Sequence, residues 1–158
     1  MTDGLVIRPD DPGAAHVADL LVYHLAELRG HMRDFAFALD ANGLSATGVS
    51  FWTAWRGDML VGFAALKRLD DEVAELKSMR AAPAARSTGV GRALLAHVVA
   101  VARSRGYRRL YLETGTAALH APAVALYRSA GFMDCPPFAD YQPSPHNQFM
   151  SLPLQGSS

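Results

Sequence analysis

Arg86-Ser87-Thr88-Gly89-Val90-Gly91-Arg92 is the stretch on which the reading of this chain turns. It follows the run Glu75-Leu76-Lys77-Ser78-Met79-Arg80-Ala81-Ala82-Pro83 and the connecting Ala84-Ala85. It leads into an apolar stripe at helical spacing, Val90, Leu94, Val98 and Val101. The order is strand, loop, glycine turn, helix. Gly89 and Gly91 open backbone conformations closed to other residues and let a ligand approach without meeting a side chain. Amides of residues 87–92 would point outward there, with the positive end of the helix dipole behind them, which suits phosphate. Two glycines alone read equally well as a helix start without a ligand. The familiar nucleotide turns fit badly. A Walker turn requires lysine and then Ser or Thr after its second glycine, where Arg92-Ala93 stand, and a dinucleotide fingerprint requires a third glycine.

Working outward, residues 5–8 read as an opening strand, broken by Pro9 and Pro12. Residues 14–28 read as a helix, with Val17, Leu20, Leu21, His24 and Leu28 at helical spacing. Residues 30–48 mix Phe35, Phe37, Leu39 and Leu44 with polar groups around Asn42-Gly43, predicting a short helix and a loop. Strands are predicted over 49–55, 59–69 and 73–81, with Arg56-Gly57-Asp58 and Asp70-Asp71-Glu72 as turns, forming an antiparallel meander. The helix from Val90 ends where Arg103 and Arg105 crowd its last turn and Gly106 supplies a left-handed cap. Residues 109–114 form the next strand, parallel to the one before the helix across a right-handed crossover. A last helix starts near Pro122 and stops before Gly131, and residues 132–135 and 148–152 close the sheet. The fold class is therefore α/β: a mixed, mostly antiparallel sheet with a central parallel strand pair, flanked by helices.

With 158 residues, half of them hydrophobic and 19% charged, the chain has the length and composition of one well-packed domain, expected over residues 1–153 with a frayed tail at 154–158. Fifteen basic residues balance fifteen acidic ones, so no global field favours nucleic acid or an anionic membrane surface. Apolar stretches are interrupted well before the roughly 20 residues a membrane span requires. Met1-Thr2-Asp3-Gly4 does not open a secretory signal, which predicts a cytoplasmic protein. Cys135 is alone and the six histidines lack the spacing of a zinc site, so no metal is expected.

R-x-x-G-x-G after a strand and a proline-containing loop resembles the signature of GNAT acetyltransferases. A second block, Ala125-Leu126-Tyr127-Arg128-Ser129-Ala130-Gly131-Phe132, matches the family's L-Y-x-x-x-G-F in order and separation. Phe51-Trp52, Glu75-Leu76-Lys77-Ser78-Met79-Arg80, Leu112-Glu113-Thr114-Gly115 and Phe138-Ala139-Asp140-Tyr141 are similar to a bacterial subgroup of these enzymes, so the likeness runs over residues 5–152. The resemblance implies a GNAT fold and an N-acetyltransferase with acetyl-CoA as co-substrate. Met79, Arg80 and Ala81 would pair with pantetheine as though it were an extra strand. Arg86, Ser87, Thr88, Gly89, Val90, Gly91 and Arg92 would hold the pyrophosphate. The strand carrying Glu75 would splay from its parallel neighbour near a bulge, with the thioester in the gap and the acceptor entering from the opposite face.

Within that likeness, Glu75 is the first choice for the base that strips an ammonium whose free pKa is near 10. Glu113 is the runner-up; alternatively, Glu75 is a strand-face glutamate paired with Lys77 or an arginine. Tyr127 matches the tyrosine that serves as acid near the coenzyme sulfur, or else it is a helix aromatic packed into the core. A backbone amide near Met79 or Arg80 would meet the developing oxyanion. His120 replaces an asparagine that often contacts the pantetheine arm, with solvent exposure as its plainest reading. His31, Phe35, Phe37, Trp52 and Tyr141 either line an acceptor pocket or form ordinary core. Neutral charge favours a small-molecule amine or amino-acid-like acceptor over a polycationic peptide, with no nucleic-acid or membrane partner and room for a homodimer. A coenzyme A-binding module without catalysis is the alternative, against which Glu75 and Tyr127 stand.

Overall fold

The structure, a computed structural model, describes residues 4–11, 14–17, 48–82 and 88–154. Its strands are β1 (Leu5–Pro9), β2 (Val49–Arg56), β3 (Met59–Arg68), β4 (Val73–Ala81), β5 (Arg109–Gly115), β6 (Met133–Asp134) and β7 (Asn147–Pro153). Helix α1 is Val90–Ser104 and α2 is Ala121–Ser129, the latter preceded by a 3-10 turn at Ala118–His120. One sheet holds all seven strands in the order β1-β2-β3-β4-β5-β7-β6. Neighbours from β1 to β4 are antiparallel, β4 and β5 are parallel, and β5-β7-β6 are antiparallel again. The meander and the parallel strand-helix-strand unit agree with the sequence reading. Of the expected 14–28 helix only residues 14–17 are described, and 15–17 are helical. The expected elements at 30–47 lie outside the described residues, as do Arg86 and Ser87.

Local chemistry explains the turns. Asp70 Oδ1 accepts from the amides of Glu72 at 2.7 Å and Val73 at 2.9 Å, a side-chain mimic of a backbone turn that launches β4. Helix α1 ends as its sequence forecasts. Gly106 takes φ 85°, its amide donates to Arg103 O, and Tyr107 N donates to Ala102 O, the two bonds of a Schellman closure. The same pair of bonds ends α2, from Gly131 to Arg128 O and from Phe132 to Tyr127 O.

Residues 61–66 of β3 are buried without interruption, as a central strand covered on both faces requires. On one face, Leu94, Leu95, Val98 and Ala102 of α1 and Tyr127 of α2 join Ala74, Leu76, Leu110 and Leu112 in the main core. Each such aliphatic contributes about 1.5–3 kcal/mol by leaving water. A smaller cluster of Val17, Phe51, Phe63 and Ala65 covers the other face. Trp52 belongs to the main core, edge-on to His97 at 5.1 Å, so it does not line an acceptor pocket. Leu154 is buried too, and its amide donates to Arg108 O at 2.8 Å; the secured chain therefore runs one residue beyond the expected boundary of the tail.

Candidate active site

Beginning at their N-terminal ends, β4 and β5 pair through Val73–Arg109, Ala74–Leu110 and Glu75–Tyr111, and no further pair follows. Both strands continue, to Ala81 and Gly115, so past Glu75 they part and leave a split. The bend has a cause in β4. On β3, Ala64 and Leu66 are two steps apart, while their partners Met79 and Leu76 are three apart, which puts an extra residue into β4 near Lys77 and Ser78. A bulge of this kind bends its strand and breaks its ladder. Met79, Arg80 and Ala81 still pair with β3 on one side, and no described strand pairs with them on the other.

Strand alternation decides which side chains face the split's outer mouth. Ala74, Leu76, Leu110 and Leu112 point into the main core, so Glu75, Tyr111 and Glu113 point to the opposite face. Glu75 stands at the last β4–β5 pair and is 2% exposed. Tyr141, from the segment joining β6 to β7, crosses β5 and donates its hydroxyl to Glu75 Oε2 at 2.5 Å. Lys77 Nζ donates to the same hydroxyl and lies 3.5 Å from Glu75 Oε2, with its side chain 8% exposed. Tyr141 is held there by rings: Phe138 lies 5.1 Å from it and 4.8 Å from Tyr111, and Phe149 lies 5.9 Å from Tyr141. Asn147, where β7 begins, accepts from Ser144 N at 2.9 Å and donates to Gln142 O at 3.1 Å, pinning the end of that segment.

Glu113 differs from Glu75. Its Oε2 is shielded from solvent and has no hydrogen-bond partner. Burial pushes its pKa up from 4.5 to about 7; a hydrogen bond from Asn147 and the charge of Lys77 oppose the rise, and the charge of Glu75 adds to it. A carboxyl poised there changes charge in the range where a base is most useful. Burial also pushes the Tyr141 hydroxyl far up, with Glu75 reinforcing it, so that hydroxyl stays protonated.

At the other end of the split, Gly89 caps α1 with φ 90° and ψ 0°, and a Cβ there would meet nothing within 4 Å. Ala93 N is the amide that donates back to Gly89 O, at 3.0 Å; helix geometry gives the preceding amides of Val90, Gly91 and Arg92 no partner within the helix. Gly91 lets α2 come close, since a Cβ would stand 3.4 Å from Leu126 Cδ2. Tyr127, next along α2, packs in the core with its ring 5.8 Å from that of Phe132, and burial pushes its hydroxyl up to about 12. His120 is half-buried with Nε2 shielded, not turned out to solvent. His31, Phe35 and Phe37 lie outside the described residues.

Glu75, Glu113, Lys77 and Tyr141 thus converge, although Tyr141 lies 66 residues from Glu75 in sequence. Lys77 and Tyr141 both stand in segments similar to the bacterial subgroup, but the sequence assigns Lys77 no role beyond pairing with Glu75 and Tyr141 none beyond a pocket or core aromatic. The path of the β6–β7 segment unites them, and no spacing announces it.

The Acetyltransferase (GNAT) family model matches residues 7–132. An Escherichia coli (strain K12) protein named an uncharacterized N-acetyltransferase, YedL, is 44% identical over 149 residues, 94% of each chain. A Bacillus subtilis (strain 168) protein of the same description, YsnE, is 40% identical over 94% of this chain and 99% of its own. Among solved structures, a Klebsiella pneumoniae chain described provisionally as an acyl-CoA N-acyltransferase superposes with a TM-score of 0.77 at 28% identity, covering 96% of this chain and 98% of that one. This kinship spreads over the turn, the split and both helices and is not confined to one motif, and it makes the chain a member of the GNAT acetyltransferase family.

Proposed function

We propose that the protein moves the acetyl group of acetyl-CoA directly to the primary amine of a small-molecule or amino-acid-like acceptor. The observation that carries this reading is the parting of β4 and β5 past Glu75 and Tyr111, with Glu75 and Glu113 at its apex. Acetyl-CoA fits the residues present. An open Cβ position at Gly89 and amides at the head of α1 suit a diphosphate, and the edge of β4 at Met79, Arg80 and Ala81 suits an amide-bearing arm. In this reading Thr88, Gly89, Val90, Gly91 and Arg92 hold the diphosphate, with Arg86 and Ser87 completing the turn. When bound, the coenzyme supplies an acyl group already activated as a thioester.

Glu113 takes the proton of the acceptor ammonium through its unpartnered Oε2. Glu75, first choice on sequence, is held by Tyr141 and Lys77, and it keeps the carboxyl of Glu113 from ionising too early. With both carboxylates ionised and one lysine beside them, the apex carries a net negative charge that draws an ammonium in. An amide of Met79 or Arg80 meets the developing oxyanion, and Tyr127 presents its proton to the departing sulfur. The rings of Phe138 and Tyr141 roof the acceptor side, which favours a slender amine.

A thiol-release assay across a panel of small amines tests this. Coenzyme A should be liberated with at least one acceptor, and Tyr127→Phe should lower kcat by roughly 10²–10⁴-fold with little change in KM. A protein that binds acetyl-CoA and releases no thiol with any amine would be a binding module, and the enzymatic reading would fall.

A further inference from the structure

We propose that Arg56 aims the diphosphate turn, acting as a positioning residue through the peptide plane between Thr88 and Gly89; the inference rests on the coenzyme reading above. Arg56 ends β2 at its hairpin with β3, 32 residues before Thr88. Its Nη1 donates to Thr88 Oγ1 at 2.8 Å, and its Nη2 donates to the Thr88 carbonyl oxygen at 2.7 Å. A planar guanidinium fork can hold two oxygens in one orientation, which an ammonium cannot.

The consequence follows from peptide geometry. In a trans peptide the C=O and the next N–H point in opposite directions. A Thr88 carbonyl tied to the hairpin therefore sends the Gly89 amide away from the hairpin. Glycine permits a wide range of φ at residue 89, so a Thr88 carbonyl fixed by the guanidinium narrows the orientations open to the Gly89 amide. The freedom that lets Gly89 adopt φ 90° is restricted where Arg56 grips the residue before it. The hairpin braces the helix start a second time through β3. A Cβ at Gly62 would lie 2.9 Å from Val90 Cγ1 and 3.0 Å from Leu94 Cδ1, so α1 sits hard against that strand. The cation also stands beside the turn, where it attracts a diphosphate before contact.

S-acetylpantetheine, which carries the thioester and lacks the diphosphate, separates aiming from general stability. The measured quantity is the ratio of kcat/KM for acetyl-CoA to kcat/KM for S-acetylpantetheine. Arg56→Ala should lower that ratio on the order of ten-fold, as loss of two charge-assisted hydrogen bonds predicts. Arg56→Lys should lower it to a lesser extent, and Thr88→Val, which keeps the carbonyl contact, should fall least. Should Arg56→Ala fail to fold, Arg56→Lys carries the test. A wild-type preference for acetyl-CoA that both arginine variants retain overturns this inference alone. A wild-type enzyme indifferent to the diphosphate removes the coenzyme reading and this inference with it.

Discussion

Replacing Glu113 with glutamine should take away most of the rate and, in neutral to alkaline solution, add to stability; one piece of geometry predicts both. The carboxyl is raised from 4.5 to about 7, first by burial and then by Glu75, against the opposing pull of Asn147 and Lys77. Between those two values the folded protein holds a proton that the unfolded chain has released. The folded state therefore binds more protons in that window, and wild-type stability falls as pH climbs through it. Below about 4.5 both states are protonated and the group contributes nothing; above about 7 the whole cost of burying the charge is present. A rise of about 2.5 pH units corresponds to about 3 kcal/mol at 1.36 kcal/mol per unit. For a chain of this length each kcal/mol moves Tm by about 2–4 °C, so the variant should melt about 6–12 °C above wild type at pH 8 and near it at pH 4.5. Scanning calorimetry of both proteins over that range measures the difference, and in it the contributions of titrating groups distant from Glu113 cancel. The same carboxyl must be ionised to act as base, so wild-type kcat/KM should rise with pH through about 7, and Glu113→Gln should lose that limb with roughly 10²–10⁴-fold of rate. Parallel Tm curves for the two proteins across the whole pH range, or wild-type turnover in the variant, would rule out Glu113 as a buried carboxyl that acts as base.

Lys77→Met removes the cation that holds the Glu113 carboxyl down, so the acidic limb of the kcat/KM profile should move to higher pH; a limb that stays in place would exclude Lys77 from the site's electrostatics. Gly62→Ala would put a methyl 2.6 Å from the Arg80 carbonyl oxygen, on the β3 side of the strand whose other edge is assigned to pantetheine. We expect a loss of about 1–3 kcal/mol in chemical denaturation, together with a higher KM for acetyl-CoA. Unaltered KM at reduced stability would separate that edge from the coenzyme. Gly89→Val meets no neighbour within 4 Å, so its penalty is conformational, about 1–3 kcal/mol at a φ of 90°. Acetyl-CoA affinity measured by calorimetry should collapse, and normal affinity would dispose of the diphosphate cradle.

What was legible in the sequence shares one property: it was decided within a few residues. The hairpin at Gly57, the Asp70 turn and the ends of both helices at Gly106 and Gly131 follow from local backbone preference, and each lies close to where reading alone puts it. The turn at Gly89 belongs to the same class. The apex chemistry does not. Glu75 and Glu113 are both strand glutamates without a charged residue adjacent in sequence, and nothing adjacent to either distinguishes a base from a paired anion. The distinction arises when the β6–β7 segment lays Tyr141 over β5, because its hydroxyl then satisfies Glu75 and engages Lys77 in one contact. Glu75 Oε2 thereby gains a hydrogen bond and a neighbouring cation. Glu113, two residues past the last β4–β5 pair, is left with a buried oxygen that no group satisfies. Like charges at close quarters in a shielded site oppose one another's ionisation, and the charge of Glu75 accordingly adds to the rise at Glu113. In the proposed reaction, the role of Glu113 as base therefore depends on the contacts that Tyr141 and Lys77 make with Glu75. Tyr141→Phe should therefore disturb catalysis without touching the group that takes the proton.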